Sequence, residues 1–179
     1  SLSSIMSKYT VGTTSVDLDQ RHFVGFGGEG KVFVRDKTAF KIYDDPKCML
    51  PLAKIKELSV LDHPRIIKPE TVIFDSKKQS VGYTMKAVKG ETVCVLFTKA
   101  YRQRNGISDS QILHLVKDLQ SLVEATHKKG IVIVDLNEMN YLVNNAYSEL
   151  YAIDVNSYQT KNFPATVILP HVRDRHAKT

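Results

Sequence analysis

Apolar and polar residues alternate along RHFVGFGGEGKVFVRDKTAFKIYD, residues 21–44, on both sides of a glycine cluster. A period of two predicts strand, glycine loop, strand, tight turn at Asp36-Lys37, and a third strand. The period then changes. In PLAKIKELSVLDHPRII the apolar positions Leu52, Ile55, Leu58 and Val60-Leu61 predict a helix, which His63-Pro64 ends. TVIFDSKKQSVGYTMKAV returns to alternation and predicts a hairpin turning over Asp75 to Ser80. The first half therefore predicts a five-stranded antiparallel sheet with one inserted helix.

A polar connector, KGETV, follows, and the pattern becomes helical. ETVCVLFTKAYRQRNG predicts a helix closed by Asn105-Gly106. Ser108 is placed to cap a long helix in which Ile112, Val116, Leu119, Val123 and Thr126 keep the helical period, and Gly130 stops it. IVIVD, from Ile131, predicts a short buried strand that opens into a polar loop holding Asp135, Asn137, Glu138 and Asn140. NNAYSE reads as a turn and LYAID as a strand. Everything after Asp154 reads as an extended loop. The change from β-rich to helical falls near Val88 to Glu91, which predicts an α+β chain of two lobes, 1–88 and 89–179.

Charge and composition narrow this only a little. A net charge of +6 suits anionic partners, and a solvated basic surface explains it better than a nucleic-acid partner. Cys48 and Cys94 form no C-x-x-C pair and have no ligand-spaced histidine, which argues against zinc and fits a reducing cytoplasm. No apolar run is long enough to span a bilayer, and SLSSIMSKYT lacks the basic and apolar regions of a secretion signal. That start reads instead as including an expression scar before Met6.

The candidate chemistry begins at Gly25, Gly27, Gly28 and Gly30. A glycine loop between strands lets backbone N–H groups approach phosphates unhindered by Cβ atoms. A plain glycine-rich hairpin is the competing reading. A dinucleotide site needs a helix after the glycines, and here a strand follows. Lys41 sits on the next strand, flanked by apolar residues, and Glu57 lies on the helix beyond it. Taken singly, these read as a solvent-facing strand lysine and a surface glutamate. Their order is what carries information, because a buried ammonium needs a partner.

In that order, G-x-G-x-x-G-x-V, then A-x-K, then a glutamate helix, then VDLNEMNYLV and YAID, the chain resembles the protein-kinase-like superfamily over nearly its whole length. DHPRII also resembles the turn that follows the glutamate helix in that family. The resemblance implies a two-lobed fold binding ATP and Mg²⁺, with Lys41 and Glu57 as an ion pair, Asp135 as catalytic aspartate, and Asn140 and Asp154 as magnesium ligands. It implies an adenine pocket from Val32, Ala39 and Leu142, with Met85 as gatekeeper and Lys86 to Val88 as hinge. The acceptor would be a hydroxyl on a protein or a small molecule.

Several positions depart from the pattern. Ile133-Val134 stand in place of His-Arg, which argues against control through an activation-loop phosphate. Asn137 replaces the lysine that steadies the γ-phosphate. Asp154-Val155-Asn156 replaces D-F-G. IDVNSYQT is similar to the I-D-V-D-S-[FY]-Q form of a divergent bacterial and phage kinase-like group. RIO-type kinases also place a small polar residue where the catalytic-loop lysine stands. The sequence reaches Thr179 without A-P-E, so we expect a fragment ending after the activation segment, with an uncovered apolar face suited to forming a homodimer. A Ser/Thr-type kinase is the leading expectation. A nucleotide-binding pseudokinase or scaffold, and an aminoglycoside-phosphotransferase-like or RIO-like small-molecule kinase, are the alternatives.

Overall fold

A computed structural model describes residues 6–134 and 136–164. The fold is mixed α+β, built on a curled, antiparallel seven-stranded sheet. Its strands are β1 (Ser7–Val11), β2 (Thr14–Leu18), β3 (Phe23–Phe26), β4 (Gly30–Arg35), β5 (Thr38–Tyr43), β6 (Val72–Phe74) and β7 (Ser80–Lys86). Their spatial order is β2-β1-β6-β7-β5-β4-β3. Three further strands, β8 (Glu91–Thr92), β9 (Tyr141–Val143) and β10 (Leu150–Ala152), form a second sheet in the order β10-β9-β8. The helices are α1 (Leu52–Leu58), α2 (Lys99–Arg104) and α3 (Asp109–Lys128).

The five-stranded expectation is corrected to seven. The missed pair, β1 and β2, is a hairpin whose two-residue loop, Gly12-Thr13, has Gly12 at φ +62°. Positive φ at the first loop residue matches the right-handed twist of the flanking strands. Its signal was present in the alternation of Tyr9, Val11, Val16 and Leu18. The hairpin extends the sheet through Thr10–Phe74 and Val11–Ile73. Leu18, Phe40, Ile73 and Val81 make a small core there, with Phe33 and Ile42 packed against it.

Three further corrections concern the predicted elements. The helix holding Glu57 ends at Leu58, short of His63-Pro64, and buries Ile55 and Leu58. Residues 91–106 break into β8, a 3₁₀ turn over Val93–Phe97, and α2, because the short apolar run VCVLF is turned inward at Leu96 instead of along one helix face. The described part of that run, 131–134, is not a buried strand. Ile131 is buried, but Val132 and Val134 are 45% and 48% exposed, and the regular pairing reduces to one bridge from Val132 to Gln159.

The long helix runs as expected from Ser108 toward Gly130. Ser108 and Gln111 satisfy each other's backbone N–H groups in a capping box. Its buried face is rotated from the expected one. Leu115, Leu122 and Thr126 are buried, with Ile112 and Leu119 packed beside them, while Val116 is 46% exposed. Burial follows the position of α3 against β10, which periodicity alone leaves open.

The main core draws on both halves of the chain, joining Tyr43, Leu58, Leu61 and Tyr83 to Leu122, Tyr141, Val143 and Val155. Polar ties reinforce it. Arg65 pairs with Asp118 of α3, whose second oxygen accepts from Leu150 N at 2.9 Å. Ile67 N donates to Ala152 O, and Ala152 N to Arg65 O, both at 2.9 Å. The segment after α1 is thereby laced to β10, one residue from Ile153-Asp154.

Candidate functional site

Cross-strand register decides which residues share a face. Val32 lies opposite Lys41, Val34 opposite Ala39, and Gly30 opposite Tyr43. On the other side of β5, Lys41 lies opposite Tyr83 and Ala39 opposite Met85. Directly opposed residues project to the same side of a sheet. So Gly30, Val32, Ala39, Lys41, Tyr43, Tyr83 and Met85 form one face, with the β3–β4 turn at its Gly30–Tyr43 end.

That hairpin closes tightly, with Gly27 N donating to Gly30 O at 2.7 Å. Gly30 is needed for packing, since a Cβ there would collide with the Ile42 carbonyl of β5. Gly25 and Gly28 have open space where a Cβ would stand. The loop thus leaves backbone uncovered by side chains at Gly25 and Gly28.

Lys41 is 6% exposed. Its ammonium lies 5.0 Å from the Tyr43 ring centre and 5.7 Å from that of Tyr83. Burial pushes the Tyr43 phenol up to about 12 and raises Tyr83 further, so both are neutral rings at physiological pH. The charges of Asp154 and Glu29 add to both upward shifts.

Asp154 follows β10 and adopts the left-handed conformation, φ +55°, ψ +39°. That costs about 1 kcal/mol for a residue with a Cβ, and such outliers concentrate at functional sites. Its carbonyl accepts from Ser157 Oγ at 3.1 Å, while its carboxylate is exposed. Asn140 closes the 3₁₀ turn Glu138–Asn140, and its carbonyl accepts from Ile153 N at 2.8 Å. The β9–β10 pairing thus sets the Asn140 backbone against Ile153, the residue before Asp154. Side-chain oxygens such as those of Asn140 and Asp154 suit Mg²⁺, which binds through few protein ligands plus water and phosphate. Among the described residues no group of three or more His, Cys, Asp or Glu is placed to hold a metal.

Asp135 lies outside the described residues. Glu57 is described, and its carboxylate is held by the segment after Asp154. Its Oε2 accepts from Thr160 Oγ1 at 3.1 Å, and its Oε1 from Asn162 N at 3.1 Å and Nδ2 at 3.0 Å. The Lys41–Glu57 ion pair is not among those of the described residues. One turn earlier on α1, Lys54 donates to the Asn156 carbonyl, and partial burial lowers its pKa. So α1 grips the segment after Asp154 at two points. Asn137 caps its own turn, its Oδ1 accepting from Met139 N at 2.9 Å.

The remaining expected residues fall as follows. Leu142 is half-buried on β9, pointing opposite to the buried Tyr141 and Val143. Lys86 is exposed at the end of β7, and Val88 is half-buried in the connector to β8. Residues the sequence reading missed are Tyr43, Tyr83, Lys54, Thr160 and Asn162. Tyr43 was findable, since A-x-K-x-Y puts it on the face of Ala39 and Lys41. Tyr83 becomes visible only with strand pairing.

No protein-family model matches the chain, and no curated protein matches it.

Proposed function

We propose that this chain is an ATP- and Mg²⁺-dependent phosphotransferase domain of the protein-kinase-like type, its two lobes meeting near Val88, acting on a Ser/Thr hydroxyl of a protein. The observation that carries this reading is the buried Lys41, held against the Tyr43 and Tyr83 rings on the strand paired with the glycine-bordered β4, together with the exposed, left-handed Asp154 after β10. Phosphoryl transfer asks a protein for fixed cations, hard oxygen ligands and positioning. Lys41 and the open backbone at Gly25 and Gly28 would hold phosphates, and Asn140 and Asp154 would hold the metal. Val32, Ala39, Met85 and Leu142 would enclose the base. MgATP supplies the transferable phosphoryl group, and Asp135 would orient the acceptor hydroxyl.

A second reading, a nucleotide-binding pseudokinase, is favoured by one observation: Glu57 is engaged by Thr160 and Asn162 instead of by Lys41. The test common to both readings is nucleotide binding. Millimolar MgATP should raise Tm by mass action, and Lys41→Met should remove most of that rise while leaving the ligand-free protein folded. An unmoved melting curve in a folded wild-type sample would reject both readings. Binding without transfer to any acceptor would select the second.

A further inference from the structure

We propose that Tyr43 and Tyr83 are positioning residues that hold Lys41 in place of a helix carboxylate. This rests on the reading of Lys41 as a phosphate-binding residue. A buried ammonium without compensation is expensive. In this site the nearest candidate on α1, Glu57, has both oxygens occupied by Thr160 and Asn162. What meets the ammonium is aromatic. The Tyr43 and Tyr83 rings meet edge to face, 6.2 Å between centres at 61°, and both are nearly fully buried, at 4% and 2% exposure.

A desolvated ring face attracts a cation through its quadrupole, and two faces converging on one ammonium fix its position. The fixing elements are rigid. Tyr43 shares β5 with Lys41, and Tyr83 lies directly opposite it on β7. Lys41 is therefore set by the sheet alone, and α1 is left to hold the segment after Asp154. A tyrosine pair also leaves the ammonium its full charge toward an incoming phosphate, which an ion pair would partly neutralise.

The test has a nucleotide arm and a nucleotide-free arm. Calorimetric MgATP affinity would be measured for Tyr43→Phe, Tyr43→Leu, Tyr83→Phe and Tyr83→Leu. Phenylalanine keeps the ring face and should keep the affinity, while each leucine should weaken it about tenfold. Leucine variants that bind like wild type, or phenylalanine variants that fail like leucine, overturn the proposal.

Urea unfolding of Tyr83→Leu, Lys41→Met and the double variant gives the second arm. The ring and the ammonium should be coupled, so that Lys41→Met restores part of the midpoint lost in Tyr83→Leu. If Tyr83→Leu does not fold, recovery of a folded double variant counts as the same coupling. Additive midpoints, or a double variant that stays unfolded, overturn it. Wild-type protein that ignores MgATP would reject the phosphotransferase reading, and the unfolding arm would still decide the cage.

Discussion

Asp19 shows how much one side chain can organise locally. It caps the 3₁₀ turn Gln20–His22, accepting from Arg21 N at 2.8 Å, while the Arg21 guanidinium reaches it through Nη2 at 2.7 Å and Nε at 3.1 Å. The arginine bond, outweighing the opposing effect of burial, lowers the carboxyl from 3.8 to about 2. A group whose folded pKa lies below its unfolded value stabilises the fold fully above the unfolded pKa and loses that contribution as pH falls through the folded one. The window is therefore from about pH 4 down to about pH 2. We predict that wild-type urea midpoints fall across this window more steeply than those of Asp19→Asn, and that the variant is less stable at pH 7. Parallel acid limbs for the two proteins would contradict the assignment.

Among the α-helices of the described residues, α3 is the one with a side-chain N-cap. Ser108 Oγ accepts from Gln111 N at 3.2 Å, and Gln111 Oε1 returns a bond to Ser108 N at 2.9 Å. Ser108→Ala should cost about 1 kcal/mol, the usual worth of an N-cap hydroxyl. Leu122, 1% exposed where α3 meets the core, should cost about 2–5 kcal/mol as alanine. Denaturant midpoints would separate the two, with m unchanged if both variants keep the native surface. A Leu122→Ala cost no larger than that of Ser108→Ala would mean that α3 is held by its cap more than by its packing. By contrast, α1 is a single short stretch without a side-chain cap, and its end is decided by what Ile55 and Leu58 bury.

At the scale of the whole molecule, the candidate site is drawn from the glycine hairpin, β5, β7, the 138–140 turn and Asp154, two residues past β10. Such a site allows its parts to be separated by substitution. Asp154→Ala should weaken Mg²⁺-dependent nucleotide binding along with transfer, because Asp154 would hold the metal. Asp135→Ala should spare nucleotide binding and lower turnover by a factor of about 10² to 10⁴, the usual worth of a positioned acid or base. The pair is checked by titrating MgATP and by following phosphate transfer on the same samples. Full turnover in Asp135→Ala, or full Mg²⁺-dependent binding in Asp154→Ala, would remove that residue's assigned role.

Local chemistry was enough to read the strands on both sides of Gly27-Gly28, the turn at Asp36-Lys37, the 75–80 hairpin and the span of α3. Each depends on period, turn residues or a cap within a few positions, and those forces act before any tertiary contact forms. The candidate residues Lys41, Asn140 and Asp154 are named from their order along the chain and from the resemblance that order carries, not from local forces. The partner of Lys41 was not legible. Sequence order offered Glu57, but α1 is too short to choose its own rotation, and the hydrogen bonds of Thr160 and Asn162 draw the glutamate to the segment after Asp154. The face of α3 and the inward turn at Leu96 were likewise open until neighbours from distant sequence covered them. Tyr83 met Lys41 only through the pairing of β5 with β7, a register set by burial across strands about 40 residues apart.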